Sequence, residues 1–390
     1  MIKSILDTDL YKFTTSYAYM KLFPQAIGRF SFTDRDKTKY SEEFVEKLKM
    51  EFAKLEYLQL TTDEFNYVNK AIPFIPKCYW EWLRGFKFDS HKIEVSLTSD
   101  SELRIYVSDE LYKATLYEVP ILAIVSELRN KENKIVMTEV IDTLEHKIQL
   151  SNYERILFSE FGTRRRFSYS VQDNVCDFIK KHAQCCTGTS NVHFAMKYNM
   201  KPIGTHPHEW FMFHGAMYGY KHANYMALEN WVNVYDGDLG IALTDTYTTE
   251  MFFNNFSKKH AKLFDGIRQD SGDEFKFVNA AIERYKQLGI DPISKTIIFS
   301  NALTFQKALE IKNYCATRIK CAFGIGTNLT NDTGHKPANI VMKLESCKMN
   351  AQQPTYFTVK LSDDKGKHMG CDLAVTNCIN TLKEIFPHAD

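Results

Sequence analysis

Residues 264–289, "FDGIRQDSGDEFKFVNAAIERYKQLG", decide the fold because they contain one complete structural unit. A short strand-like run ends in polar residues and a glycine, and a segment with apolar residues at helical spacing follows it. The pattern is then repeated, since "KTIIFSN" at 295–301 precedes the helix-like "LTFQKALEIKNYC" at 303–315. A strand, a polar tip and a helix in succession predict a parallel β/α arrangement.

The same unit recurs from about residue 157 onward. Strand-like runs that precede helical segments are "ILFSEFGTR" (156–164), "PIGTHPHE" (202–209) and "LGIALTDT" (239–246), and a further run is "CAFGIGTN" (321–328). After "PIGTHPHE" the apolar spacing predicts one long helical segment from Trp210 to about Val232. Repetition on this scale indicates a parallel β/α barrel or an open α/β sheet, and we favour the barrel.

The first part of the chain follows a different pattern. Residues 1–150 contain aromatic-rich helical segments, strand-like runs within "KIEVSLTSDSELRIYV" and a buried helix at "LYEVPILAIVSEL". The tail after about residue 346 alternates like strands and is expected to return to this first part. We therefore predict an N-terminal α+β domain (1–150), a β/α barrel catalytic domain (151–345) and a C-terminal segment (346–390) that completes the first domain.

Length and composition narrow the classes of function. A chain of 390 residues favours two domains, and a net charge of +1 gives no general attraction to nucleic acid or to an anionic membrane. The nine cysteines are scattered without a C-x-x-C pair, which is typical of a reducing cytoplasm. No apolar run reaches membrane-spanning length and no signal peptide is recognised. Any anion must therefore be bound by a local site.

Polar side chains at the ends of the predicted strands form the candidate site. In a barrel these ends meet at one face, so their residues are considered together. They include arginines, hydroxyl groups, carboxylates and a glycine loop: Phe161, Thr163, Arg164 to Arg166, Thr189, Ser190, His206, His208, Thr244, Asp245, Arg268, Asp270, Asp273, Ser300, Asn301, Gly324, Gly326 and Thr327. This set is suited to binding a phosphorylated sugar.

Three motifs at these ends allow both a structural and a functional interpretation. In "FGIGTN", Gly324 and Gly326 open the backbone N–H groups to phosphate, although a G-x-G is also an ordinary turn. The arginine run at 164–166 is either a solvated turn or a clamp for phosphate or carboxylate. In "RQDSGD", Asp270 and Asp273 either cap the next helix or hold ribose hydroxyls or Mg²⁺.

The stretch "KPIGTHPHEWF" (201–211) presents two histidines one residue apart. His206 and His208 could be metal ligands, an acid/base pair, a covalent catalyst or residues at a helix start. From the residues alone these alternatives remain open.

The ordered motifs resemble those of the nicotinate phosphoribosyltransferase family. Those that match, in the family's order, are "LDTDLYK" (6–12), "EFGTRRRFSY" (160–169), "GTSN" (188–191), "IGTHPHEWF" (203–211), "LGIALTDT" (239–246), "IRQDSGD" (267–273), "TIIFSN" (296–301), "FGIGTNLTND" (323–332) and "VKLSDDKGK" (359–367). The resemblance implies the type II phosphoribosyltransferase fold, an irregular barrel with an α+β domain, in a homodimer with shared sites. It also implies joining of nicotinate to 5-phosphoribosyl 1-pyrophosphate in NAD biosynthesis, with Mg²⁺ and with ATP hydrolysed through a phosphohistidine, as in an ATP-dependent ligase.

The resemblance also implies roles for single residues. Tyr11, from the partner subunit, and Phe161 would enclose the pyridine ring, and Arg164 and Arg268 would be basic residues of the substrate site. Ser190 stands where nicotinamide-using relatives have aspartate, which favours nicotinate because an aspartate would repel a carboxylate. The remaining contacts would be Asp245, Asp270 and Asp273 with ribose and substrate-bound Mg²⁺, and Gly324, Gly326 and Thr327 with the 5-phosphate.

The family's phosphorylated histidine ends the pattern G-T-x-x-H, which is His208 in this chain and not His206. Glu209 would orient or polarise the imidazole. Two alternatives from other classes are a barrel metal hydrolase with His206 and His208 as ligands, and a non-catalytic nucleotide sensor.

Overall fold

The computed structural model describes residues 1–204, 206–364 and 368–385. Thr205 and residues 365–367 of the motif "VKLSDDKGK" lie outside the described part. The α-helices are α1 Leu10–Leu22, α2 Glu42–Ala53, α3 Thr62–Ala71, α4 Lys77–Gly85, α5 Leu111–Ala114, α6 Glu118–Arg129, α7 Met137–Glu154, α8 Tyr169–His182, α9 Val192–Lys197, α10 His208–Tyr218, α11 Ala223–Tyr235, α12 Thr249–Asn255, α13 Lys258–Leu263, α14 Glu274–Gln287, α15 Phe305–Cys315, α16 Thr327–Thr330 and α17 Asp372–Ile385. The strands are β1 Ile27–Asp34, β2 Ile93–Leu97, β3 Leu103–Glu110, β4 Phe158–Glu160, β5 Cys186–Thr189, β6 Ile241–Leu243, β7 Gly266–Gln269, β8 Thr296–Phe299, β9 Lys320–Ile325, β10 Ile340–Lys348 and β11 Tyr356–Phe357.

Six short parallel strands form the sheet that the repeated units predict. Their order is β5-β4-β9-β8-β7-β6, and a parallel bridge from Thr189 to Pro202 extends the sheet beyond β5. Ile203, next to this bridge, and Ile241 of β6 line the same cavity. Both ends of the sheet thus border one space, although no ladder among the described residues joins them. The prediction of an irregular β/α barrel is confirmed.

A second, antiparallel sheet forms the N-terminal α+β part of the molecule. Its order is β11-β10-β1-β3-β2, with β1 paired to β3 on one side and to β10 on the other. Alternate residues of β3 and β10 are buried, as expected for strands with one face against a core. The chain therefore returns to its first sheet at Ile340. The division of the chain at residues 150 and 345 stays a prediction.

Two segments differ from the sequence expectations. The helical segment predicted from Trp210 to Val232 is two helices, because Gly219 adopts a φ of 80° that favours glycine and ends α10. The tail was expected to be strand-like, but it also forms α17, whose buried Cys378 and Leu382 pack with Val359 and Leu361. In the described part of the chain, no helix is both long enough and apolar enough to cross a membrane.

Candidate active site

Two adjoining cavities lie where the polar ends of the parallel strands meet α1. The larger has a volume of about 440 Å³ and the smaller of about 260 Å³. Tyr11, Phe161, Arg164 and Arg268 line both. Other predicted residues that line the larger cavity are His208, Glu209, Asp270, Gly324, Gly326 and Thr327, and Ser190 lines the smaller. The strand ends thus bring most of the predicted site together.

His208 is the first residue of α10 and forms part of the wall of the larger cavity. Its Nε2 lies 2.8 Å from Oδ1 of Asp245 and 3.7 Å from Oδ2 of Asp270. Burial lowers the pKa of His208 to about 4, although Asp245 opposes the shift. For Asp245, burial alone would raise the pKa, but His208 and Lys360 hold it well below its ordinary value. A neutral imidazole that donates from Nε2 to this carboxylate keeps its lone pair on Nδ1.

Glu209 does not contact the imidazole that it was expected to orient. Its carboxylate lies 2.5 Å from Nζ of Lys12 and accepts a hydrogen bond from the Thr115 hydroxyl at 2.5 Å. The imidazole is held instead by Asp245, which also accepts a hydrogen bond from Ser271 at 2.7 Å. Because successive side chains of a helix point in different directions, Glu209 faces the N-terminal part of the molecule.

The ring of His206 packs among aromatic side chains, whereas His208 lines the larger cavity. The ring is fully buried, with centroids 4.8 Å from Trp231 and 5.0 Å from Phe211. Neither ring nitrogen has a hydrogen-bond partner among the described residues, and burial lowers the pKa of His206 to about 3. This geometry does not support the metal-hydrolase alternative, which needs His206 and His208 as two ligands of one ion.

The two aspartates of "RQDSGD" have different surroundings. Asp270 lines the larger cavity and binds Arg268 at 3.0 Å and the Ser300 hydroxyl at 2.5 Å. Burial alone would raise its pKa, but Arg268 and His208 lower the pKa of Asp270 to about 2. Asp273 is exposed, accepts a hydrogen bond from the Lys276 N–H as the N-cap of α14, and lines neither cavity described here. Only Asp270 is therefore placed to contact a substrate in the larger cavity.

The glycines of "FGIGTN" are required by the aromatic residue beside them. A Cβ on Gly324 would lie 2.4 Å from the Phe161 ring, and one on Gly326 would lie 3.0 Å from the Phe161 carbonyl oxygen. Phe161 is also held by a hydrogen bond from its N–H to the Ile325 carbonyl at 2.8 Å. The glycine loop thus positions the aromatic wall of both cavities, and Thr327 lines the larger one.

Tyr11 lines the cavities of its own chain, whereas the resemblance led us to expect it from a partner subunit. The residues before and after it are bound to the barrel of the same chain. Backbone hydrogen bonds join Leu10 to Ser190 at 2.7 Å, Val192 to Thr8 at 3.1 Å and His193 to Leu6 at 2.9 Å. A single chain therefore supplies both Tyr11 and Phe161.

Ser190 has a hydrogen-bond partner that the sequence analysis did not predict. Its hydroxyl donates to Oδ1 of Asp9 at 2.7 Å, and Asp9 also lines the smaller cavity. Burial raises the pKa of Asp9, although Arg164, whose Nε lies 3.6 Å from Oδ2, opposes the shift. The smaller cavity thus already contains one carboxyl group beside Ser190.

Three basic residues of the larger cavity were not among the candidate site residues. They are Arg35, Lys343 and Lys360. Burial lowers the pKa of Lys343 to about 7, and Nζ of Lys360 lies 3.2 Å from Oδ2 of Asp245. Arg165, a candidate as part of the arginine run, also lines this cavity. Of the three missed residues, only Lys360 lies in a quoted motif, "VKLSDDKGK". The larger cavity is suited to polyanions such as phosphates.

Within the described part of the chain, one group of side chains could hold a metal ion. His208, Asp245 and Asp270 each offer a ligand atom, and these atoms lie within 4.8 Å of one another. The oxygens of Asp245 are already bonded to His208 and Ser271. Carboxylate oxygens suit Mg²⁺, which usually keeps few protein ligands and several from water or phosphate. The group therefore fits an ion that is shared with a bound phosphate.

Comparisons with known proteins cover almost the whole chain. The profile of the nicotinate phosphoribosyltransferase N-terminal domain matches residues 6–126, and that of the nicotinate phosphoribosyltransferase family matches residues 156–386. Nicotinate phosphoribosyltransferase of Desulforapulum autotrophicum is 42% identical over 392 residues, with 98% of this chain and 99% of the relative covered.

Solved structures give the same result. The crystal structure of nicotinate phosphoribosyltransferase from Porphyromonas gingivalis is 51% identical, with a TM-score of 0.97 over 98% of this chain and 100% of that chain. The corresponding structure from Vibrio cholerae is 33% identical, with a TM-score of 0.91 over 100% and 98%. The resemblance seen in the motifs is confirmed, and the chain belongs to the nicotinate phosphoribosyltransferase family.

Proposed function

We propose that the chain joins nicotinate to 5-phosphoribosyl 1-pyrophosphate and couples this transfer to ATP hydrolysis through a phosphohistidine at His208. The products are nicotinate mononucleotide and pyrophosphate, together with ADP and phosphate, as part of NAD biosynthesis. One observation carries the proposal. A neutral imidazole, fixed through Nε2 by Asp245, borders a cavity lined by six basic side chains: Arg35, Arg164, Arg165, Arg268, Lys343 and Lys360.

The phosphorylation step uses the free lone pair of His208. Nδ1 attacks the γ-phosphorus of ATP, the N–P bond forms, and the bond to the ADP oxygen breaks. Asp245 stabilises the positive charge that develops on the ring, as a carboxylate does behind a nucleophilic histidine. Water later attacks the phosphorus and releases phosphate and the neutral imidazole.

The transfer step takes place across the two cavities. The pyridine ring lies between Tyr11 and Phe161, and its nitrogen attacks C1 of the ribose as pyrophosphate leaves. Asp270 holds a ribose hydroxyl group, and the loop at Gly324, Gly326 and Thr327 binds the 5-phosphate. The arginines and lysines stabilise the charge that develops on the leaving pyrophosphate.

Mg²⁺ is proposed as the metal, held with the substrate phosphates by Asp270 and Asp245. When bound, it would neutralise charge on the pyrophosphate. The exposure of Asp273 and its use as an N-cap speak against a metal contact there. We also propose a homodimer and a cytoplasmic location, the latter supported by nine cysteines that are all free thiols.

Replacing His208 tests the proposal. His208→Ala is expected to abolish ATP hydrolysis and acid-labile phosphorylation while a slower, ATP-independent transfer remains, because other residues bind the base and the sugar. If phosphorylation contributes roughly 3 kcal/mol, its loss lowers turnover or apparent affinity about 100-fold. Nicotinate mononucleotide is assayed with and without ATP, and phosphate incorporation is measured with labelled ATP.

His206→Leu is the matched control, since it places an apolar side chain in the aromatic packing around residue 206. It should retain phosphorylation and ATP-dependent turnover. Phosphate found on His206 would move the assignment by two positions. A wild-type protein that binds nucleotide without forming product would favour the sensor alternative.

A further inference from the structure

Lys12 is a fully buried lysine that directly follows Tyr11. Its Nζ lies 2.5 Å from a carboxylate oxygen of Glu118 and 2.5 Å from one of Glu209. It also lies 3.2 Å from the Thr115 hydroxyl. Glu118 begins α6 and Glu209 is the second residue of α10, so this ammonium joins three helices.

The ion pairs continue from Lys12 to the smaller cavity. The second oxygen of Glu118 lies 3.7 Å from Nη1 of Arg164, and Nε of Arg164 lies 3.6 Å from Asp9. Asp9 in turn accepts the hydrogen bond from Ser190. The result is a chain of alternating charges, Glu209, Lys12, Glu118, Arg164 and Asp9. We call it the ion chain.

The two ends of the ion chain adjoin the two reactive parts of the site. Glu209 directly follows His208, and Asp9 borders the cavity that Tyr11 and Phe161 enclose. A phosphoryl group on His208 adds nearly two negative charges in the larger cavity, which Glu209 also lines. Movement of one buried ion leaves its neighbour without its opposite charge, so a change at one end acts on the other.

Stability alone does not explain these buried charges. Replacing a buried ion pair by apolar groups of similar volume is often neutral or stabilising, because desolvation offsets the attraction. Glu118 and Arg164 also line the larger cavity and are not sealed in the core.

We propose that Lys12 is a positioning residue that couples phosphorylation of His208 to nicotinate binding through the ion chain. This inference rests on the proposed function. It assigns the coupling role to Lys12. Glu209 then takes part by binding Lys12, in place of the expected contact with His208.

The test compares the nicotinate KM without ATP to the KM with ATP, a ratio that we call the coupling ratio. Glu209→Gln removes the charge but keeps one acceptor oxygen for Lys12, and its amide N–H can donate to the Thr115 hydroxyl. Lys12→Met keeps an unbranched side chain of similar length. In both variants His208 is still phosphorylated, and the coupling ratio falls about 2- to 30-fold toward one. Phosphate incorporation and KM are measured on the same preparations.

Arg166→Met is the matched control. Arg166 and Asp7 form another fully buried ion pair, 2.8 Å apart, at the junction of the N-terminal segment and the barrel, but neither residue borders the two cavities described here. This variant should lose stability and keep the wild-type coupling ratio.

The outcomes separate this inference from the proposed function. A coupling ratio unchanged in Glu209→Gln, with His208 phosphorylated, overturns the inference, and Glu209→Gln decides the matter if Lys12→Met does not fold. An equal loss in Arg166→Met would mean a general effect of destabilisation and also overturns it. A wild-type ratio of one with phosphorylation present leaves nothing to couple and rejects it too. Absence of phosphate on wild-type His208 rejects the phosphohistidine itself.

Discussion

Ser190 and Asp9 together define the charge of the smaller cavity. Asp9 accepts the hydrogen bond from Ser190 and is partly neutralised by Arg164. One carboxyl group of the smaller cavity is thus balanced by one guanidinium group. We propose that Ser190 favours nicotinate because it adds no second negative charge to this balance.

Ser190→Asp is expected to weaken nicotinate binding and to favour nicotinamide in relative terms. A second carboxylate beside Asp9 repels the carboxylate of nicotinate in a partly desolvated pocket, at a cost of about 1 to 3 kcal/mol, or roughly 5- to 150-fold. The kcat/KM values for nicotinate and nicotinamide are compared. Ser190→Asn is the neutral control of similar size and should change the preference less. Equal discrimination in all three proteins would exclude Ser190 from base selection.

The position of a site residue could be predicted where a sequence motif contains it. Its contacts were harder to predict where the partner lies far away in the chain. The position of His208 at the cavity follows from its place after a predicted strand. Its contact with Asp245 links residues 37 positions apart, and the sequence favoured its neighbour Glu209 as the partner. Asp270 and Asp273 share one motif, but their surroundings differ. Asp273 caps the start of α14, whereas Asp270 lines the larger cavity.

The ring of Phe161 packs against strand β9. The absence of a Cβ at Gly324 lets the aromatic ring lie directly on the strand, and Gly326 does the same for the Phe161 carbonyl. The G-x-G sequence was predicted as a phosphate loop. Its packing role is independent of phosphate and concerns Phe161, which lines both cavities.

Gly324→Ala is expected to raise the KM for nicotinate clearly while lowering the melting temperature only slightly. The new Cβ would lie 2.4 Å from the Phe161 ring, so the ring must move into the cavities. Overpacking of this kind costs about 1 to 3 kcal/mol, or roughly 5- to 150-fold in affinity. The KM for nicotinate and the melting temperature are measured together.

Gly85→Ala serves as the control, because nothing lies within 4 Å of a Cβ at that position. It should leave the KM unchanged. A Gly324→Ala protein with wild-type KM would show that the ring does not determine base affinity.

Elements were predictable where the pattern is local. The strand and helix periods between residues 264 and 315 predict β7, α14, β8 and α15 without knowledge of the fold. The break between α10 and α11 depends on one residue with positive φ, Gly219, inside an apolar run. The pairing of β1 with β10 joins residues about 300 positions apart, and alternation alone does not select the partner strand.

At the scale of the whole molecule, Tyr11 and Phe161 of one chain line the same two cavities. The segment before α1 is bound by backbone hydrogen bonds to residues 190–193 of the same chain, which fixes Tyr11 opposite its own barrel. The proposed homodimer would then contain two sites that each take Tyr11 and Phe161 from one chain.

Mixing a Tyr11→Ala chain with an Asp270→Ala chain is therefore expected to restore no activity. Each mixed assembly would contain one site without the tyrosine and one without the aspartate. Two different affinity tags select assemblies that contain both chains, and sedimentation velocity measures their size. Activity above that of either variant alone would mean that the tyrosine is shared between subunits.

The return of the chain to its first sheet through β10 also orders events during synthesis. His208, Asp245 and Asp270 emerge from the ribosome before Lys343 of β10 and Lys360, and β1 has no neighbour on one side until β10 arrives. Pairings between strands so far apart in the chain form late, and the unpaired edge of β1 is exposed until then. A chain interrupted before residue 340 would carry the histidine and its aspartates, but neither of the lysines that line the same cavity.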